Sequence, residues 1–129
     1  MKKLITKIFI VSILCVIPQT YGNEPNWQKV DENNYIDSDS IFGTDNMYGF
    51  SFLLKSYNKG QYEPVNGKKI LYTLGHYELN CAKQTYKIGL IDSYDRNGNF
   101  VNGDYNRYAA FQPLVQGSAA GIVSQKLCR

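Results

Sequence analysis

The chain has one histidine, one tryptophan, three cysteines and four prolines in 129 residues, and these scarcities close off whole classes of chemistry. With His76 alone, a histidine-based metal site or a Cys–His nucleophile pair lacks its second part. No Gly-rich phosphate loop and no nucleophile elbow occurs. His76 falls on the polar side of an expected strand, where a lone histidine is an ordinary surface residue. Pairs such as Asp37 with Asp39, or Asp92 with Asp95, sit at turns, where acidic residues are common. No catalytic residue, metal ligand or cofactor is assigned, and the reading is a non-enzyme.

Long apolar runs are also missing, with one exception. Ile8 to Ile17 is uninterrupted and follows Lys2, Lys3 and Lys7. It is too short for a permanent membrane span and the right length for the core of a signal peptide. Pro18 breaks it, and Thr20 and Gly22 put small residues at −3 and −1, so cleavage is expected after Gly22. That leaves residues 23–129 as a single exported domain without a transmembrane segment. Lipidation at Cys15 is the rival reading, but it calls for a small residue before the cysteine, and Leu14 is large. Once Lys2, Lys3 and Lys7 leave, eleven cations face eleven carboxylates, and the formal excess of +3 disappears. A balanced chain without a basic block has no footprint for nucleic acid.

Cys15 leaves with the signal. Cys81 and Cys128 remain as an even pair in an oxidising compartment, which favours a disulfide over the alternative of two buried free thiols. Joining them would close a loop of 47 positions, worth roughly 4 kcal/mol in the chain-entropy account.

Alternating apolar residues predict strands at Trp27–Val30, Tyr35–Asp37, Met47–Tyr57, Ile70–Cys81 and Tyr86–Tyr94. A short final strand is expected at Tyr108–Phe111. In Met47–Tyr57, Tyr48, Phe50, Phe52 and Leu54 share one face. In Ile70–Cys81, the parity turns Leu79 and Cys81 to one side and His76 and Glu78 to the other. In the next strand Tyr86, Ile88 and Leu90 alternate with Lys87 and Gly89. Turns are expected at Gly43–Asn46, Ala82–Gln84, Asn97-Gly98 and Asn102-Gly103. Ser118 is a good helix N-cap, and Ala119, Ile122, Val123 and Leu127 make one helical stripe. Gly121 should weaken that helix by about 1 kcal/mol relative to Ala. The fold class is α+β: an antiparallel sheet with a C-terminal helix packed on one face and one disulfide.

Two stretches invite a ligand. Ser93, Asp95, Asn97 and Asp104 with Gly98 resemble a calcium loop. Ser93 stands where Asp is expected, Asp104 stands where Glu is expected, and the flanks read as strands, so a hairpin turn is preferred. Tyrosine is abundant, with eleven residues. Tyr57 and Tyr62, with Lys59, Lys68 and Lys69, lie in or beside a connection held out by Gly60, Pro64 and Gly67. They are the candidate ligand-binding residues. The alternative is a solvated connection whose lysines keep the protein soluble.

Trp27, Tyr35-Ile36-Asp37 with Ser40-Ile41, Lys55-Ser56-Tyr57, Asn80-Cys81 and the tail from Phe111-Gln112-Pro113 through Gly117-Ser118 to Leu127-Cys128 resemble the surface-adhesin protein E family across nearly the whole mature chain. The resemblance implies an antiparallel sheet, a C-terminal helix and a cysteine pair. It implies a non-catalytic role on the cell envelope, in the namesake adhesins the binding of host extracellular-matrix glycoproteins. Phe111 stands where the family has Trp, and the namesake adhesins are lipid-anchored. The expected partner is a protein or glycoprotein, the expected location the periplasm or cell surface, and a homodimer is compatible with both. The alternative function is a periplasmic inhibitor of lysozyme or of a competitor's toxin.

The intact mass of protein purified from its native envelope checks the processing. A product starting at Asn23 without lipid is expected, and a diacylglyceryl increment on a product starting at Cys15 contradicts it.

Overall fold

The computed structural model describes residues 24–44, 49–59 and 64–128. The signal peptide and its cleavage site, Cys15, Asp45-Asn46, Met47-Tyr48, Gly60 and Tyr62 lie outside the described residues. Eight strands form one antiparallel sheet: β1 Trp27–Lys29, β2 Asn34–Asp37, β3 Phe42–Gly43, β4 Gly49–Tyr57, β5 Ile70–Asn80, β6 Thr85–Asp95, β7 Phe100–Tyr105 and β8 Gln112–Pro113. The spatial order is β1-β2-β4-β5-β6-β7, with β3 alongside β4 and β8 alongside β6. A single described α-helix, α1, spans Ala119–Leu127. No described helix is long and apolar enough to cross a membrane.

The expected alternation puts Phe52 and Leu54 of β4 and Leu79 of β5 in the core. Leu54 is 0% and Leu79 1% exposed, and burying each such side chain stabilises the fold by about 1.5–3 kcal/mol. Val123 of α1 completes this cluster, with Val30, Ile36, Ile41 and Leu127 packed around it. Phe52, Tyr77 and Tyr86, one from each of three neighbouring strands, stack in turn at 5.4 and 6.0 Å between ring centroids.

The helix is fixed at both ends. Ser118 caps it, its hydroxyl accepting the Gly121 N–H at 3.1 Å. At the other end Cys128, the C-cap, is bonded to Cys81 in the β5–β6 turn, with Cα atoms 5.4 Å apart. The stripe read from the sequence is present, but Ala120 and Gly121 are more buried than Ala119 and Ile122. A Cβ on Gly121 would run into the Val115 carbonyl oxygen. Glycine here buys close approach of the helix to the preceding loop.

Several expectations need correction. The alternation in β6 breaks at Gly89: Tyr77 pairs with Ile88 but His76 pairs with Leu90, so Gly89 is a bulge and Leu90 moves to the opposite face. Asn102-Gly103 is not a turn but the middle of β7, paired with Ser93 and Asp92. The last strand is Gln112–Pro113 rather than Tyr108–Phe111. There the chain turns instead, because the Asn106 side chain accepts the Tyr108 N–H at 3.0 Å and its carbonyl accepts the Ala109 N–H at 3.1 Å. Gly43, expected in a turn, pairs with Phe50 as part of β3.

The bulge at Gly89 is one of three among the described strands. Leu71 and Val101 are likewise skipped in the register. An asparagine attends each freed carbonyl: the Asn58 N–H donates to Leu71 at 2.8 Å and the Asn106 N–H to Gly89 at 2.8 Å. The Asn66 side chain reaches Val101 at 3.5 Å.

The Gly121 contact reverses the sign expected from helix propensity. Gly121→Ala should destabilise the protein by about 1–3 kcal/mol in urea unfolding, whereas propensity alone would stabilise it by about 1 kcal/mol. An unchanged or raised midpoint would show that α1 does not need this contact.

Candidate functional site

Helix α1 covers one face of the sheet, and the residues on the other face follow from the register, because directly paired residues in antiparallel strands share a face. Tyr57 pairs with Tyr72, Tyr72 with Tyr94, and Tyr94 with Phe100. Tyr35 pairs with Lys55 beside them. Each strand of the main path from β2 to β7 therefore contributes one ring to a continuous row. Tyr35 meets Tyr57 edge-on at 5.9 Å, and Tyr57 meets Tyr72 at 5.6 Å. Tyr72 and Tyr94 stack at 4.9 Å with their planes 11° apart, and Tyr94 meets Phe100 edge-on at 5.8 Å.

Trp27 on β1 joins the row through a cation. The Lys55 ammonium lies 4.6 Å from the Trp27 ring, 4.8 Å from Tyr72 and 5.6 Å from Tyr57. Such contacts contribute about 0.5–1 kcal/mol each at exposed sites, and here one charge ties β1, β4 and β5 together. The outer end of the row is open, with Phe100 59% exposed. Burial pushes the Tyr72 phenol above its usual value, helped by Tyr94, Tyr57 and Asp95. Burial does the same for Tyr94, with Asp92 adding to it. Both hydroxyls thus stay neutral near physiological pH, able to donate and accept hydrogen bonds.

The sequence-derived candidates are only partly gathered. Tyr57 sits in the row, half-buried between Tyr35 and Tyr72. Lys59 follows the end of β4 and pairs with Glu32 at 3.7 Å, both largely exposed, an ion pair of little energetic weight. Lys68 closes a two-residue hairpin turn. Its N–H and carbonyl exchange 2.9 Å bonds with Val65 around Asn66 (φ 51) and Gly67 (φ 77), the turn that the Asn-Gly pair predicts. Lys68 and Lys69 are exposed. Lys55 was missed by sequence reasoning, and so was the row. The signal was the recurrence of aromatic residues in successive strands, but only the register shows that they meet.

The stretch resembling a calcium loop is a hairpin turn. The Asp95 carboxylate is buried and accepts the N–H groups of Asn97 at 2.9 Å and Asn99 at 3.0 Å. Gly98 has φ 82 and returns its N–H to the Asp95 carbonyl at 3.0 Å. His76 is half-exposed and lies 4.0 Å from Asp92.

A profile of the family described as surface-adhesin protein E matches residues 27–129. No curated protein matches the sequence. A solved structure of Haemophilus influenzae protein E is 18% identical and superposes with a TM-score of 0.57, covering 79% of this chain and 83% of its own. A crystal structure of protein E from non-typeable Haemophilus influenzae is 20% identical, with a TM-score of 0.56 over 94% of this chain and 82% of its own. At these identities the likeness concerns the fold.

A spectrophotometric titration tests the tyrosine environments. Tyr77, buried and beside Tyr86, has its phenol pushed up to about 12, and burial also raises Tyr72 and Tyr94. Because the fold holds these protons more tightly than the unfolded chain, stability should be complete below about pH 10 and fall as pH rises from there toward 12. Tyr77→Phe should remove a phenol that ionises near pH 12. Ionisation of every tyrosine together near pH 10 would contradict the packing.

Proposed function

This chain belongs to the surface-adhesin protein E family, and from that premise we propose that it is a non-catalytic, adhesin-like surface protein that binds host extracellular-matrix glycoproteins through the sheet face opposite α1. The contact surface is centred on the aromatic row and extends into the segment carrying Tyr57, Lys59, Tyr62, Lys68 and Lys69. The observation that carries this reading is the position of Tyr57. It is at once a member of the row, packed on Tyr35 and Tyr72, and the last residue of β4 before that segment. A tyrosine-rich surface with flanking lysines has the composition of a protein-recognition site. Rigid rings supply area at small entropic cost, and the lysines favour partners with acidic groups.

Interferometry on immobilised, purified matrix glycoproteins tests this. Wild type should bind at least one of them saturably. The Tyr62→Ala, Lys68→Ala, Lys69→Ala triple variant should lose about tenfold in affinity with little change in melting temperature, since Lys68 and Lys69 are exposed. Tyr94→Ala should weaken the same interaction. Unchanged affinity in both folded variants would move the site off this face. No matrix binding at all, with tight inhibition of a lysozyme, would replace the adhesin reading.

A further inference from the structure

A cleft of about 410 Å³ lies on the other side of the molecule, between the β5–β6 turn, the loop before α1 and α1 itself. Its size is within the roughly 300–1,000 Å³ range of small-molecule sites. Three glutamines line it from three different elements: Gln84 from the turn, Gln116 from the loop and Gln125 from the helix. Leu114 and the Cys81–Cys128 disulfide give it an apolar wall. No charged side chain is among its described lining residues. No hydrogen bond from another described residue engages any of the three side-chain amides.

Two observations show that this frame is held in place. The disulfide joins two of its walls, and the Leu114 N–H donates to the Gln84 carbonyl at 3.0 Å. Gln84 itself has φ 56, a left-handed conformation that glycine and asparagine adopt more readily than glutamine.

We propose that this cleft binds an uncharged saccharide unit. An amide offers both a donor and an acceptor, which matches the paired donor and acceptor character of sugar hydroxyls. Three lining glutamines, with no ionic group among the described lining residues, favour a neutral, hydroxyl-rich ligand over an anion or a cation. The apolar wall suits the C–H face of a pyranose ring. An extended peptide is disfavoured, because the walls are a turn, a loop and a helix and offer no free strand ladder. The site is separate from the aromatic row and does not rest on its role.

The test is titration of the oxidised mature protein with glucose, galactose, N-acetylglucosamine and N-acetylgalactosamine. Nitrogen–proton correlation spectra would follow the side-chain amides of Gln84, Gln116 and Gln125. At least one sugar should shift all three saturably in the millimolar range, and sialic acid should do no better. Gln116→Ala with Gln125→Ala should weaken that binding about tenfold or more. Gln84→Gly should weaken it too, while leaving the melting temperature unchanged or raised, because glycine relieves the left-handed backbone. No saturable shift with any of the four neutral sugars, or tighter binding of sialic acid, overturns the proposal.

Discussion

The attachment of α1 to the sheet determines which surface of this protein can meet a partner. It has two components: the Cys81–Cys128 bond, which closes a loop of 47 positions, and the close approach of Gly121 to the Val115 carbonyl. In the chain-entropy account the bond contributes roughly 4 kcal/mol, a large share of the total for a domain whose stability is about 5–15 kcal/mol. With the helix held there, Phe52, Leu54, Leu79 and Val123 bury each other on one face. The opposite face has no covering element among the described residues. Its aromatic side chains limit their exposure by packing on one another, ring against ring from β2 to β7.

The bulges complete this division of faces. Counted by simple alternation from Tyr86 and Ile88, Tyr94 would point toward the helix. The skipped residue at Gly89 reverses the parity, so Tyr94 stands opposite Tyr72 on the open face and Ile91 turns inward opposite Gly75. The aromatic row therefore depends on one irregularity in β6, whose freed carbonyl is satisfied by the Asn106 N–H. The asparagines attending the other two bulges do the same for Leu71 and Val101. Buried or half-buried carbonyls without partners are costly, so these residues stabilise departures from regular pairing that the open face uses.

Much of the architecture was legible because its signals are local. The alternation of Phe52 and Leu54 with Ser51 and Leu53, the Ser118 cap and the Asn66-Gly67 turn each depend on a few neighbouring residues. The cysteine pair was legible from compartment and count. What escaped was non-local. Asn102-Gly103 carries a turn signal, yet pairing with β6 holds it extended, with Gly103 opposite Asp92 and so close to it that a Cβ would crowd the carboxylate. Lys55 read as an ordinary strand lysine until Trp27, Tyr57 and Tyr72 were brought around it from three strands. Gly121 read as a weakness of the helix, because the loop oxygen that requires it belongs to Val115, outside the helical pattern.

Helix α1 reserves one face for the core and, in the proposed function, leaves the aromatic face for recognition. Hydroxyl-radical footprinting of the protein, free and in the presence of saturating purified matrix glycoprotein, tests this division of faces. Tyr57, Tyr94 and Phe100 should become protected in the complex, while Ile122 and Lys126 on α1 keep their reactivity. Protection confined to α1 and the strands beside it, with the aromatic row still reactive, would place recognition on the helix face instead.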